Sequence, residues 1–263
     1  LTTQDGIVTY HNTLQQAFDA VPTNGTLSKI KLLTDCELAS NIYFSNNKKV
    51  QLDLNGHKVK YYSTGKEITA FQSATGQVFE VIDTIGDGLI DVKADGYNAY
   101  AISNNSSSGK IRIISGKIQV TSIGGDAYGI YTQNGLSKEV GNEAIRVEGG
   151  SISVKSEVGT NSAVSGKAYG VYNRQYGAVC ITGKNTMISA TSALNESYGV
   201  YNADASAATV PVTIGEKDGI VSTTSPYIAG ETAGIYITKT KSTSIYDGAI
   251  TGKAGGAIKT STT

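Results

Sequence analysis

The sequence predicts an all-β chain: a right-handed, single-stranded parallel β-helix with three strands per coil, about eight coils, and a short N-terminal capping helix. Three observations predict it. First, the pentad Ala127-Tyr128-Gly129-Ile130-Tyr131 returns as Ala99-Tyr100-Ala101-Ile102-Ser103, Ala168-Tyr169-Gly170-Val171-Tyr172, Ser197-Tyr198-Gly199-Val200-Tyr201 and Thr232-Ala233-Gly234-Ile235-Tyr236, with a worn copy at Gly255-Gly256-Ala257-Ile258-Lys259. Repetition at this scale marks a stacked architecture. Second, each pentad is followed by a variable stretch and then two short alternating runs, as in Ala144-Ile145-Arg146-Val147 and, after Gly149-Gly150, Ser151-Ile152-Ser153-Val154. Alternation buries one face of each strand, and the glycines allow tight corners. Third, equivalent positions are spaced by 28, 41, 29 and 35 residues. Coils tolerate such drift because insertions become loops outside the stacked core, whereas a chain of 263 residues is too short for eight propeller blades of about 40 residues each.

In chain order, residues 1–29 are expected to form an N-terminal cap. Its helix covers 12–21, with Leu14, Ala17, Phe18 and Val21 on one face and Thr13-x-x-Gln16 as the capping-box pattern. Pro22 and Gly25 end it. An amphipathic helix placed there would cover the apolar end of the first coil. Residues 30–263 then form one continuous β-helix. Early strands are predicted at 30–33, 42–44, 50–54, 58–61, 68–71, 78–82 and 89–92, followed by the pentads and their companion runs, the last of these at 219–221.

Composition excludes several functions. The chain carries 22 basic and 22 acidic residues, and its lysines are scattered. Nucleic-acid binding, driven by clustered positive charge, is not expected. No apolar run reaches transmembrane length, so direct membrane insertion is not expected either. No leader-like segment is read at Leu1, and the chain is expected to be a mature or excised segment. Cys36 and Cys180 fall about five coils, or roughly 24 Å, apart, too far for a disulfide, and should be free thiols. Asp83, Asp87, Asp91 and Asp95 recur every fourth residue. Gly86-Asp87-Gly88 and Asp95-Gly96 are turn chemistry, and a calcium site is the alternative. His11 and His57 are the only histidines. No metal and no cofactor is expected.

The order Thr13-Leu-Gln-Gln-Ala-Phe-Asp-Ala20, Ile30-Lys-Leu-Leu-Thr-Asp35 and Leu52-Asp-Leu-Asn-Gly-His57, followed by Gly-Gly-x-Ile coils, resembles right-handed β-helix domains of the pectate-lyase-like superfamily. More narrowly, it resembles those of large secreted or wall-attached bacterial proteins. The resemblance implies an extracellular, adhesin-like module, or alternatively a polysaccharide lyase or glycoside hydrolase, since one scaffold carries several activities. Polygalacturonase-type enzymes resembling this fold carry Asn-Thr-Asp, Asp-Asp, Gly-His-Gly and Arg-Ile-Lys signatures, and none occurs here. The nearest strings, Asn55-Gly56-His57 and Arg112-Ile113-Ile114, fall on turn or strand positions that the repeat already explains. No catalytic residue is assigned.

The pentad itself supplies the candidate site. Its fourth position, Ile102, Ile130, Val171, Val200, Ile235 or Ile258, is always aliphatic and should point inward. Strict alternation then puts the second-position tyrosines, Tyr100, Tyr128, Tyr169 and Tyr198, inside as well, with their hydroxyls on turn carbonyls. Asn104, Thr132, Asn173 and Asn202 should form an inner polar ladder. The same logic turns the third and fifth positions outward: Gly129, Gly170, Gly199 and Gly234 as a bare strip beside Tyr131, Tyr172, Tyr201 and Tyr236. Such a face suits a sugar chain, which packs C–H groups on rings and hydrogen-bonds phenols. The expected partner is a polysaccharide or a host-surface glycan or protein, with the loop 132–143 as the other candidate surface. A spacer whose rings only shield the sheet is the remaining function class.

Overall fold

In a computed structural model of the chain, residues 1–3, 6–44, 47–73, 76–105, 109–132, 143–159, 164–174, 177–202, 211–216, 226–238 and 243–261 are described. Nearly all of the regular structure is β. The strands form three parallel sheets of eight, and every third strand in sequence is a neighbour in the same sheet. That order is a coil that visits three walls in turn, the parallel β-helix expected from the repeats. The first wall begins with Leu27–Lys31 paired to Lys49–Asp53, and the second begins with Cys36–Glu37 paired to Lys58–Ser63. The third wall carries Ile42–Phe44, Ile68–Ser73, Ala99–Asn104, Ala127–Thr132, Ala168–Asn173, Ser197–Asn202, Ala233–Thr238 and Ile258–Ser261, stacked in that order. The pentads align residue for residue, Tyr128 between Tyr100 and Tyr169, and Tyr201 between Tyr172 and Tyr236.

One aliphatic core fills the coil from Leu14 to Ile237, with Val50, Val81, Ile113, Ile145 and Ile214 on one wall facing Val59, Ile90, Ile152 and Ile228 on another. Corners between walls are closed by residues few side chains could replace. Gly150 has φ +78°, and a Cβ there would run into the Gly116 carbonyl of the coil below.

The capping helix is α1, Leu14–Asp19, shorter at both ends than the periodicity suggests. Thr13 accepts from the Gln16 N–H at 3.2 Å as its N-cap. Lys48 Nζ donates to the Phe18 and Asp19 carbonyls at 2.9 and 3.0 Å, satisfying groups that a helix C-terminus leaves open. Phe18 enters the coil and packs against Phe44, Phe71 and Phe79 at 5.2, 5.9 and 6.1 Å, which makes a single end plug of all four phenylalanines of the chain.

Three strand expectations change. The first strand begins at Leu27, not 30; Cys36–Glu37 is a strand that two residues of sequence could not announce; and 219–221 lie outside the described residues, the second wall of that coil being held by Tyr227–Gly230. Cys36 and Cys180 are free thiols, and burial pushes the Cys36 thiol up to about 11. Asp83 bridges two coils at a turn, accepting from Gly56 N–H and Gly88 N–H at 2.7 Å each, and Asp87, at φ +66°, pairs with Lys117 at 2.6 Å.

Candidate functional site

The outer face of the third wall is where alternation fails. Ala70 with Phe71, and Ala101 with Ile102, are consecutive residues that both lie in the core. A Cβ added to Gly129 would sit 2.5 Å from Ile152 Cγ2 and 2.5 Å from the Gly170 carbonyl, so this position also faces inward. Gly170, Gly199 and Gly234 meet Ile188, Ile228 and Ile250 in the same way. The strand bends at its third position, whose residues drop out of the regular pairing in every coil that carries the pentad. The expected bare glycine strip therefore does not exist: Gly129, Gly170, Gly199 and Gly234 let the third wall approach the second.

The bend has a second consequence. With two inward residues in succession, the second and fifth positions emerge on the same side, the outside. Tyr128, Tyr169 and Tyr198 are buried, but in a cluster separate from the core, under Tyr131, Tyr172, Tyr201 and Tyr236. The inward placement expected for the second-position tyrosines is thus corrected, while the fifth-position tyrosines are outward and half-buried. The inner polar ladder is present: Thr132 Oγ1 donates to Asn173 Oδ1 at 2.6 Å, and Asn173 Nδ2 donates to Asn202 Oδ1 at 2.9 Å and to the Gly177 carbonyl at 3.0 Å.

The tyrosines stack in two rows along the coil axis. Ring centroids are 4.6, 5.0 and 5.8 Å apart through Tyr100, Tyr128, Tyr169 and Tyr198, and 5.2, 5.0 and 4.7 Å apart through Tyr131, Tyr172, Tyr201 and Tyr236. Between rows the rings meet edge to face, Tyr128 on Tyr172 at 90° and Tyr169 on Tyr172 at 80°, except that Tyr198 is tilted at 59° and 54° to Tyr201 and Tyr236. Both arrangements suit the ring quadrupole. A residue within the outer row turns its faces to its neighbours in the row and an edge to solvent.

Three of the four hydroxyls of the inner row are held by side chains two residues earlier on the same face, not by turn carbonyls. Tyr128 donates to Asp126 Oδ2 at 2.9 Å, Asn98 Nδ2 donates to the Tyr100 hydroxyl at 3.4 Å, and Tyr198 bonds Glu196. Burial, and then the Asp126 charge, push the Tyr128 phenol far above its ordinary value. Lys167 ties this rim together, its N–H on Asp126 at 2.7 Å and its Nζ on Glu196 at 2.8 Å.

The two ends of the ladder differ. At the C-terminal end, Lys259 Nζ lies 5.9 Å from the Tyr236 ring centroid and covers it. At the N-terminal end the fifth-position column changes from Tyr131 to Ser103 and Gln72, and the second-position column from Tyr100 to Thr69. A cleft of about 490 Å³ opens there, walled by Tyr100 and Tyr131 and bordered by Thr69, Gln72, Ser103, Asn105, Lys66 and Glu67. The sequence contained its signal, the serine that ends the pentad Ala99–Ser103 where the next four copies have tyrosine.

Elsewhere several ionisable groups are engaged in structure. Arg112 bonds Glu148 at 2.9 and 3.0 Å and Glu80 at 3.4 Å, and Arg146 bonds Glu143 at 2.9 Å. His57 Nδ1 lies 3.4 Å from Asp35, within the Asn55-Gly56 turn whose φ values are +49° and +79°. Among the described residues no group of three or more His, Cys, Asp or Glu side chains could hold a metal ion, and no helix is long and apolar enough to cross a membrane. Residues 133–142 of the loop considered above lie outside the described residues. Comparison with protein-family models, curated proteins and solved structures finds no match to this chain.

Proposed function

We propose that the chain is a non-catalytic binding module of a secreted or cell-surface bacterial protein, similar to adhesin-like domains of the pectate-lyase-like superfamily, and that it binds glycans on the tyrosine-bearing face of its third wall. The observation that carries this is the double row itself. Eight tyrosines from five consecutive coils share one outer surface, and Asp126, Glu196 and Lys167 form a polar rim along it. Aromatic rings beside fixed hydrogen-bond groups are what a hydroxylated, C–H-faced ligand needs. A catalytic reading is less favoured because Glu80, Glu143 and Glu148 are held by arginines, whereas glycoside hydrolysis requires a free carboxyl pair across the bond.

A glycan array probed with the purified chain tests this. Binding to a defined glycan set is expected, with no release of reducing sugar or unsaturated product from the bound glycans. An array that stays silent, or turnover lost on changing one Asp or Glu, would reject the proposal.

A further inference from the structure

We infer that the principal sugar subsite is the cleft at the N-terminal end of the ladder, and that it takes a neutral pyranose unit against the free faces of Tyr131 and Tyr100; this rests on the glycan-binding function proposed above. Packing of a pyranose on an aromatic side chain uses the ring face. The ladder withholds its faces: Tyr172 stacks between Tyr131 and Tyr201, and Tyr128 between Tyr100 and Tyr169. Free faces exist only where a row stops. Lys259 occupies that position over Tyr236, and Tyr198, whose row stops opposite Ala233, is buried against Tyr236. Below Tyr131 and Tyr100 the next coil offers only Ser103 and Thr69, and the space they leave is the 490 Å³ cleft, within the range of small-molecule sites.

The lining chooses the ligand class. The neutral polar lining is Gln72, the phenol groups, and Ser103, whose hydroxyl donates to Asn105 Oδ1 at 3.1 Å and can accept from a sugar hydroxyl. The charged groups are Lys66 and Glu67, adjacent and opposite in sign, with Glu67 already accepting from Asn98 at 2.9 Å. Within the lining these two offset one another, and the one further charge on its groups, the Arg174 guanidinium, is held on the Tyr131 hydroxyl. Gln72 Oε1 is taken by Asn41 Nδ2 at 3.0 Å, which leaves the Gln72 amide N–H groups to donate to a ligand oxygen.

The decisive variant is Ser103→Tyr. It sits in register with Tyr131, so the new ring should extend the row by one rung and fill the cleft while removing nothing from the ladder. The probe is an array of neutral, uronate-ended and sialylated glycans, with affinities of the hits measured by calorimetry. Neutral glycans are expected to bind, and Ser103→Tyr should weaken them by about tenfold or more, the equivalent of one lost stacking contact. If Ser103→Tyr does not fold, Gln72→Ala is read by the same loss. Unchanged affinity in the cleft variant, with loss in Tyr172→Ala or Tyr201→Ala, overturns the cleft and leaves glycan binding standing. Hits confined to uronate or sialyl glycans overturn the neutral-sugar assignment, and a silent array overturns both inferences.

Discussion

Replacing Gly170 with alanine separates the two possible orientations of the pentad by the sign of the effect. Had the third position faced solvent, the added methyl would meet nothing, and the substitution would stabilise by about 0.4–1 kcal/mol through the unfolded chain. In the bent strand the new Cβ falls 2.5 Å from the Gly199 carbonyl and closer still to Ile188 Cγ2. Neither neighbour can swing away, since one is backbone of the next coil and the other a buried, branched side chain. Overpacking of this kind costs about 1–3 kcal/mol, which for a chain of this size lowers Tm by about 2–4 °C per kcal/mol. Thermal and urea unfolding followed by far-ultraviolet circular dichroism read it. Ala101 is the internal control, because it holds the same register position two coils earlier and is fully buried there. Ala101→Gly should also destabilise, by about 1–2 kcal/mol, from a lost buried methyl and a freer backbone. A Gly170→Ala protein as stable as wild type, or more so, would refute the inward glycine column.

The two tyrosine rows should respond unequally to truncation: Tyr169→Ala removes a buried ring that touches Tyr128, Tyr172, Tyr198 and Tyr201 and should cost about 3–5 kcal/mol, while Tyr172→Ala, half-buried, should cost about 1–3 kcal/mol. Equal losses in urea melts would contradict the layering. Alkaline titration should unfold the ladder. Burial raises the phenols of Tyr100, Tyr128, Tyr169, Tyr172 and Tyr198, and pushes Tyr201 up to about 12. The folded state thus holds these protons more tightly, so their contribution is intact below the unfolded value of about 10 and is lost as pH rises through the folded values. From Tyr201 alone the loss is on the order of 2 kcal/mol by about pH 12. A phenolate absorbance change near pH 10 large enough to account for all 16 tyrosines in the native protein, before any unfolding signal, would contradict it.

The coil was legible in the sequence because its repeats carry redundant information. Each pentad, corner and companion run is written several times, and the aligned copies predict the neighbours Tyr128–Tyr169 and Val171–Val200 that the sheets show. The inner ladder of Asn104, Thr132, Asn173 and Asn202 was legible for the same reason. Side-chain parity across the pentad was not, since two-residue periodicity contains no term for a bend. The clue lay in the third position, which is only ever glycine or alanine in these copies. A solvent-facing position has no need to be so small, whereas one pressed against Ile152 and Val154 of the facing wall does. Cys36–Glu37 was missed because a two-residue strand has no period at all, and the cleft because it is made by what Ser103 lacks.

The inward glycines and the outward tyrosines are one feature with two faces. In a strictly alternating strand, residues three apart lie on opposite sides, so Tyr128 or Tyr131 would have to enter the aliphatic core with a hydroxyl to satisfy. By bending at a residue small enough to pass under the facing isoleucines, the strand spends two successive positions on the core and returns both rings to the same surface. The rings then stack only because each coil repeats the bend in register with the one below. That coupling limits what repetition can add to binding. Every further Tyr-Gly coil lengthens the two rows, but each new ring covers the face of the last and supplies a fresh one only at the end. Duplicating coils in this chain should therefore raise stability without multiplying ring-face subsites, and the number of such subsites is set by how the rows terminate, at Lys259 on one side and at Ser103 on the other.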